Sequence, residues 1–211
     1  YTTEKNIMKV IGPLFLDDLR AEFETIRARK TGRKKLFQAF HDKLAKLTFM
    51  DPACGCGNFL IITYRELRLL EIDLLRELNP KGQLNLDALI LSRIDVDQFY
   101  GIEYAEFPAR IAETAMWMMD HIMNTQASLE FGAAFLRIPL RKSPNIVHAD
   151  ALETDWTTIA PGDLSYIIGN PPFIGAKYQS DEQRAQVRSI VDDTAELVGL
   201  GRKVREDEIV I

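Results

Sequence analysis

Apolar residues recur every three or four positions from Ile7 through Val10, Ile11, Leu14, Leu16, Leu19 and Phe23 to Ile26. That spacing predicts helix over 5–30, with Gly12-Pro13 as a break. After the basic turn "RARKTGRKK" (27–35), Leu36, Phe37, Phe40, Leu44 and Leu47 predict a second helix over 34–46. The pattern then changes. "LTFMD" (47–51) is a short apolar run that stops at Pro52 and a glycine pair, as a buried strand does. "FLIITYRELRLLEIDLLREL" returns to helical spacing for about twenty residues, closed by "NPKG". "LNLDALILSRI" predicts a short extra helix, "QFYGIEY" (98–104) a strand, and "AEFPARIAETAMWMMDHIM" (105–123) a helix with Pro108 in its first turns. Residues 135–144 read as a loop, "NIVHADAL" as a third strand and "LSYIIG" (164–169) as a fourth. From Ser180 onward the chain reads as helix and then as a charged, loosely determined tail.

Strands alternating with helices imply βαβ units and a mostly parallel sheet, hence an α/β fold. Such sheets bind ligands beyond the carboxyl ends of their strands. The residues that neither helix nor strand requires all fall there: Asp51 to Gly57, Glu103, Asp150, and Asn170 to Phe173.

Composition narrows the class. With 211 residues, 46% hydrophobic and 27% charged, the chain can bury a core without disulfides or metals. The net charge of −5 is uneven: residues 1–50 carry +5 and the remainder −10. A basic front on an acidic body permits a local polyanion contact and argues against a uniformly basic nucleic-acid binder. Even so, the run Arg27 to Lys35 reads more simply as a solvated turn than as a phosphate contact. Cys54 and Cys56 are too close for an ordinary disulfide, which predicts reduced thiols in a cytoplasmic protein. They read as small residues fitting a tight loop, and neither they nor His41, His121 and His148 make a metal spacing. Met116 to Met119 read as one buried helix face and its edge. No apolar run reaches membrane-spanning length.

Each strand end has a plain reading beside a chemical one. Gly55 and Gly57 let backbone approach a ligand, or simply make a βα turn. The loop lacks both GxGxxG spacing and a Gly-Lys-Ser/Thr, so its ligand need not present phosphate. Glu103 suits ribose hydroxyls, although it lies 46 residues after Gly57 rather than the usual separation of about 20, or it precedes a helix whose dipole favours it. Asp150 suits an adenine amine, or a turn.

"DPACGCGNFL", "GIEYAE", "HADAL" and "NPPF", in that order, resemble the S-adenosylmethionine-dependent amino-methyltransferases of DNA, of the N6-adenine type. The opening "YTTEKNIMKVI" resembles the cofactor motif that precedes the glycine loop in the subgroup with a C-terminal target-recognition domain. The resemblance is closest to the methylase region of large type II restriction-modification proteins and covers Tyr1 to about Lys177. It implies a Rossmann-like class I methyltransferase fold with a helical N-terminal extension. It also implies that the Asn170 side-chain oxygen and Pro171 carbonyl accept hydrogens from the target amine, Pro172 stiffens the motif, and Phe173, often tyrosine in the family, stacks on a flipped base. Asp51, Ala53, Cys54, Gly55 and Gly57 would face the methionine portion of the cofactor, with Tyr1 and Thr2 closing over it. Glu103 would hold its ribose, and Asp150 with Ala151 its adenine.

The expected organisation is a helical extension at 1–46, a cofactor-binding core at 47–179 and a tail at 180–211. A start at Tyr1 and an end at "EDEIVI" imply a piece of a longer protein. DNA is then the expected partner, through regions largely outside this piece; the sequence does not show whether a nuclease is fused, since its metal site would lie upstream. Two other functions remain open: methylation of an RNA amine or a protein glutamine, and cofactor binding without turnover.

Overall fold

The structure is a computed structural model that describes residues 2–79, 92–131, 143–171, 180–181 and 184–185. Its centre is a four-stranded parallel sheet in the order β3-β2-β1-β4, with β1 Phe49–Asp51, β2 Phe99–Glu103, β3 Asn145–His148 and β4 Tyr166–Ile167. Successive strands run outward from β1 on one side, and β4 returns on its other side. The order therefore reverses at β1, and the crevice at such a reversal is where these sheets take ligands. The α/β architecture and the parallel sheet are as the alternation of patterns predicts.

The strands show why the sheet has one rich face and one sparse face. Side chains alternate along a strand. Phe49, Phe99 and Tyr166 point to one side, stacked across the sheet with centroids 5.2 Å (Phe49–Phe99) and 5.5 Å (Phe49–Tyr166) apart. Met50 and Ile102 point to the other, where residues 149–164 cover them with Ala160, Trp156, Ile159 and Leu164. Opposite Met50, Ile167 keeps 55% of its surface exposed.

On the rich face lie α4 (Asn58–Leu78) and α5 (Glu106–Phe131), and outside α4 lie α1 (Glu4–Ile11), α2 (Asp17–Arg27) and α3 (Arg33–Leu44). Sandwiched between sheet and helices, α4 buries residues around most of its circumference, from Phe59 and Leu60 to Leu74 and Leu75. The N-terminal helices share the sheet's main hydrophobic core: Ile7, Ile11, Phe15, Phe23, Phe37 and Phe40 belong to the same cluster as Phe49 and Phe99.

Four expectations are corrected. Gly12-Pro13 does not break the first helix. Gly12–Leu16 instead form a π turn, closed by the Asp17 N–H on the Gly12 carbonyl, which absorbs the hydrogen bond a proline cannot donate. The turn sets Phe15 on the sheet, 4.8 Å from the Tyr166 ring. The helix expected at 105–123 runs on to Phe131, because buried Ala127 and Phe131 extend the stripe of Met116 and Met123 at intervals of four. The third and fourth strands are shorter than 145–152 and 164–169, since Ala149 and the residues after it turn across the sparse face. In "LNLDALILSRI", Ser92 to Ile94 are not helical, and the rest lies outside the described residues. So do Tyr1, Pro172, Phe173, the loop up to 142 and most of the tail. In the run from Met116 to Met119, Met116 is buried, Trp117 and Met119 are half-buried, and Met118 is exposed. No described helix is long and apolar enough to cross a membrane.

Candidate active site

The four strand ends meet at one edge of the sheet. Asp51, the last residue of β1, has 1% of its surface exposed. Its Oδ1 accepts the Ala53 N–H at 3.1 Å. Across the crevice, Gly169 lies so close that a Cβ there would fall 2.5 Å from the same oxygen. A side chain at 169 would drive β4 and β1 apart, so the glycine brings Asn170 next to the loop. Burial pushes the Asp51 carboxyl from 3.8 up to about 7; the Ala53 N–H opposes this and the charge of Glu103 adds to it. Among the described residues no cationic side chain forms an ion pair with Asp51.

The loop after β1 is tied to β2. The Cys54 N–H donates to the Ile102 carbonyl at 2.9 Å, and the Gly57 N–H to the Cys54 carbonyl at 2.8 Å. Gly55 and Gly57 have φ of 55° and 82°, which side chains of L-residues rarely adopt. A Cβ at Gly57 would meet Ala112 of α5 at 3.0 Å, whereas one at Gly55 would point into open space. The first glycine therefore leaves room above the loop and the second permits helix packing below it. Cys54 and Cys56 are both free. Cys54 is buried beneath the loop, near enough to Gly101 that a Cβ there would sit 3.0 Å from its sulfur. Burial pushes that thiol up and keeps it protonated.

Glu103 anchors both sides of the loop. Oε2 accepts the Gly55 N–H at 2.8 Å and Oε1 the Ala105 N–H at 2.9 Å. An ionised carboxylate has about four acceptor sites, so about two remain for hydroxyl donors. The Glu103 carbonyl takes the Ala149 N–H at 3.0 Å, which brings in the turn after β3. There Asp150 Oδ1 accepts the Leu152 N–H at 2.9 Å, and the Ala151 carbonyl accepts the Trp156 indole N–H at 2.8 Å. At the end of β4, Asn170 is exposed, and its Nδ2 donates to Thr2 Oγ1 at 3.1 Å.

Nine of the residues singled out by sequence thus stand in this one neighbourhood as strand ends and the loops that follow them: Asp51, Ala53, Cys54, Gly55, Gly57, Glu103, Asp150, Ala151 and Asn170. Pro171 follows Asn170 directly, and Thr2 reaches them from the N-terminus. Sequence reasoning assigned no role to Gly169 or Ala105. Gly169 ends the run read as the fourth strand, and only the paired strands show what its missing Cβ avoids. The basic run lies elsewhere. Arg27 and Arg33 both pair with Glu77, near the far end of α4 and about 30 Å from the loop at a rise of 1.5 Å per residue.

The family model for the MmeI DNA-methyltransferase domain matches residues 26–200. The chain belongs to this family. It is similar to the type IIL restriction-modification enzyme MmeI, solved in complex with DNA, with a TM-score of 0.83 and 53% identity over 90% of this chain and 25% of that one. It is 38% identical to DNA methyltransferase A of Bacillus subtilis (strain 168) over 90% of this chain and 21% of that protein. A stretch of 52 residues is 58% identical to a 1-aminocyclopropane-1-carboxylate deaminase of Bradyrhizobium sp. (strain ORS 278), covering 25% of this chain and 14% of that protein, well short of the MmeI-type span. The chain therefore spans about a fifth to a quarter of the length of its long methyltransferase relatives. Methyltransferases of this family imply a methyl-donor cofactor.

Proposed function

We propose that the parent protein transfers a methyl group from S-adenosylmethionine to the N6 amine of adenine in DNA, within a restriction-modification system that pairs it with a nuclease. A DNA substrate of this kind places the reaction in the cytoplasm. The observation that carries the reading is Asn170-Pro171 at the end of β4, beside the crevice that Asp51 and Gly169 define, in a chain of the MmeI methyltransferase family.

The residues present fit the cofactor. Open space over Gly55 leaves room for it, and a buried carboxylate with no ion pair among the described residues suits its ammonium. In this reading Asp51 faces that ammonium, Glu103 spends its spare acceptor sites on ribose hydroxyls, and Asp150 takes an adenine amino hydrogen. When bound, S-adenosylmethionine supplies an electrophilic methyl on a sulfonium. The target amine is a poor nucleophile because its lone pair is delocalised into the ring. Two acceptors aimed at its hydrogens, Asn170 Oδ1 and the Pro171 carbonyl, favour the pyramidal amine and stabilise the positive charge growing on nitrogen. The cofactor would give up its methyl to the amine nitrogen and leave as a neutral thioether, and the amine would lose a proton to water. Proline fixes the backbone that presents the carbonyl. Phe173 and Pro172, outside the described residues, keep their assigned roles of stacking on the flipped base and stiffening the motif.

The test uses the full-length protein, labelled S-adenosylmethionine and, separately, duplex DNA, bulk RNA and cell protein. Label on adenine N6 of DNA is expected; label on cytosine, RNA or protein overturns the assignment. Asn170→Ala is expected to lower transfer about 100-fold or more, with cofactor affinity nearly unchanged.

A further inference from the structure

Asn170 and Thr2 lie 168 positions apart in the chain, yet the Asn170 Nδ2 donates to Thr2 Oγ1 at 3.1 Å. The contact has a chemical consequence. A side-chain amide has one end that accepts hydrogen bonds and one that donates them, and a half-turn exchanges the two. In the proposed reaction only the accepting end helps. Oδ1 aimed at the target amine draws on its hydrogens, whereas Nδ2 aimed there opposes them and holds the amine planar.

Asn170 is exposed, three residues beyond the two-residue strand β4, so packing alone does not hold its side chain. Among the described residues, the partner of its amide is Thr2. Thr2 stands directly before a held helix start. The next carbonyl, that of Thr3, accepts the Asn6 N–H at 2.9 Å and the Ile7 N–H at 3.0 Å, which starts α1. Ile7 and Ile11 then anchor α1 in the main core. The residue just before the N-cap of α1 thus presents a hydroxyl to the Asn170 amide.

We propose that Thr2 is a positioning residue for methyl transfer: its hydroxyl accepts from the Asn170 Nδ2 and holds that side chain in place, with Oδ1 left free for the target amine. The proposal rests on the reading of Asn170 given above. It makes the first residues of the chain part of the machinery that acts on the base, in addition to any contact they make with the cofactor.

The test compares Thr2→Val, Thr2→Ser, Asn170→Ala and the Thr2→Val/Asn170→Ala pair in the full-length protein. The readouts are the single-turnover methylation rate of duplex DNA at saturating S-adenosylmethionine, the equilibrium Kd of the cofactor, and the Tm. Valine keeps the shape and removes the hydroxyl. Thr2→Val is expected to lower the saturated rate about tenfold, the worth of one well-aligned hydrogen bond, beyond any change in cofactor Kd and with Tm essentially unchanged. Thr2→Ser is expected to restore the rate, and Thr2→Val is expected to cost nothing further once Asn170 is alanine. The proposal is overturned by a loss confined to cofactor Kd, which makes Thr2 a cofactor contact, or by a loss that tracks Tm and that serine does not rescue. An undiminished rate in Thr2→Val beside a dead Asn170→Ala overturns it too, while leaving the site reading intact. Activity retained by Asn170→Ala overturns that reading first, and this proposal with it.

Discussion

The two most deeply buried carboxylates among the described residues, Glu71 and Asp51, stand in opposite circumstances. Glu71 of α4 has none of its surface exposed and is fully supplied with donors. His41 Nε2 lies 2.7 Å from Oε1, which also accepts the Arg93 and Ile94 N–H groups, and the Ser92 hydroxyl donates to Oε2 at 2.7 Å. Arg68 Nε stands 3.2 Å from Oε2, and the same guanidinium reaches Tyr64, Asp120 and Asn124. Burial works to raise the Glu71 pKa, but the His41 hydrogen bond and the Arg68 charge hold it below the usual value. Asp51 is almost as deeply buried, yet it has one backbone donor shown and no ion pair among the described residues, and its pKa rises to about 7. The difference separates a group whose partners the fold supplies from one that, among the described residues, is left without a charged partner and so is a candidate for a ligand. The Glu71 network joins α3, α4, α5 and the chain re-entering β2. Asp51 sits where the sheet opens.

The largest expected effect breaks the completed site. Arg68→Met leaves Asp120 and Glu71 buried without their cation and should destabilise the protein by about 3–5 kcal/mol, read from urea unfolding. A loss below 1 kcal/mol would show that the network is no more committed to the fold than Asp51 is.

Asp51→Asn should do the reverse. Cofactor affinity should fall about 10- to 100-fold, since a charged partner is worth about 1.5–3 kcal/mol. Stability of the cofactor-free protein at pH 8 should hold or rise. The pH dependence follows from the raised pKa. The folded protein holds the Asp51 proton more tightly than the unfolded chain does, so this group's contribution to stability is present at low pH. It is lost as pH rises from about 4 through about 7. That slope should vanish in Asp51→Asn. Glu71, with its pKa lowered, contributes the opposite sign: its stabilisation is present above 4.5 and is lost in acid. With Asp51 facing the cofactor's ammonium as proposed, binding would use the ionised carboxylate, so affinity should rise with pH through about 7.

The smallest effect refines the position of Asp51. In Gly169→Ala the new methyl group meets Oδ1 at 2.5 Å, a clash that should cost about 1–3 kcal/mol and weaken cofactor binding less than Asp51→Asn does. Unchanged calorimetric Tm and cofactor affinity would mean that the crevice is wider than its glycine implies.

The strand ends were legible because each combines residues that regular structure does not need. Glycines with positive φ, prolines and acids after short apolar runs announce a turn at which a ligand can sit. The Glu71–Arg68 network was not legible. Tyr64, Arg68 and Glu71 lie inside an apolar helical pattern, where charged residues ordinarily mark the solvent side. Only the three helices and the returning chain around them make that side an interior. The end of α5 was missed for a related reason, since Ala127 and Phe131 are too sparse among polar neighbours to signal a buried stripe.

By itself the sequence determined the element types, the parallel α/β class and the family chemistry expected at the loops after β1 to β4. These depend on local periodicity and on backbone conformations that particular residues permit. The tertiary structure decided which of those residues meet. Asp51 against Gly169, Gly55 against Glu103 and Thr2 against Asn170 are 118, 48 and 168 positions apart, and strand order with helix packing brings them together. It also decided the two carboxylates' fates, because an acid's pKa depends on the donors and the depth of burial that the whole fold assembles around it.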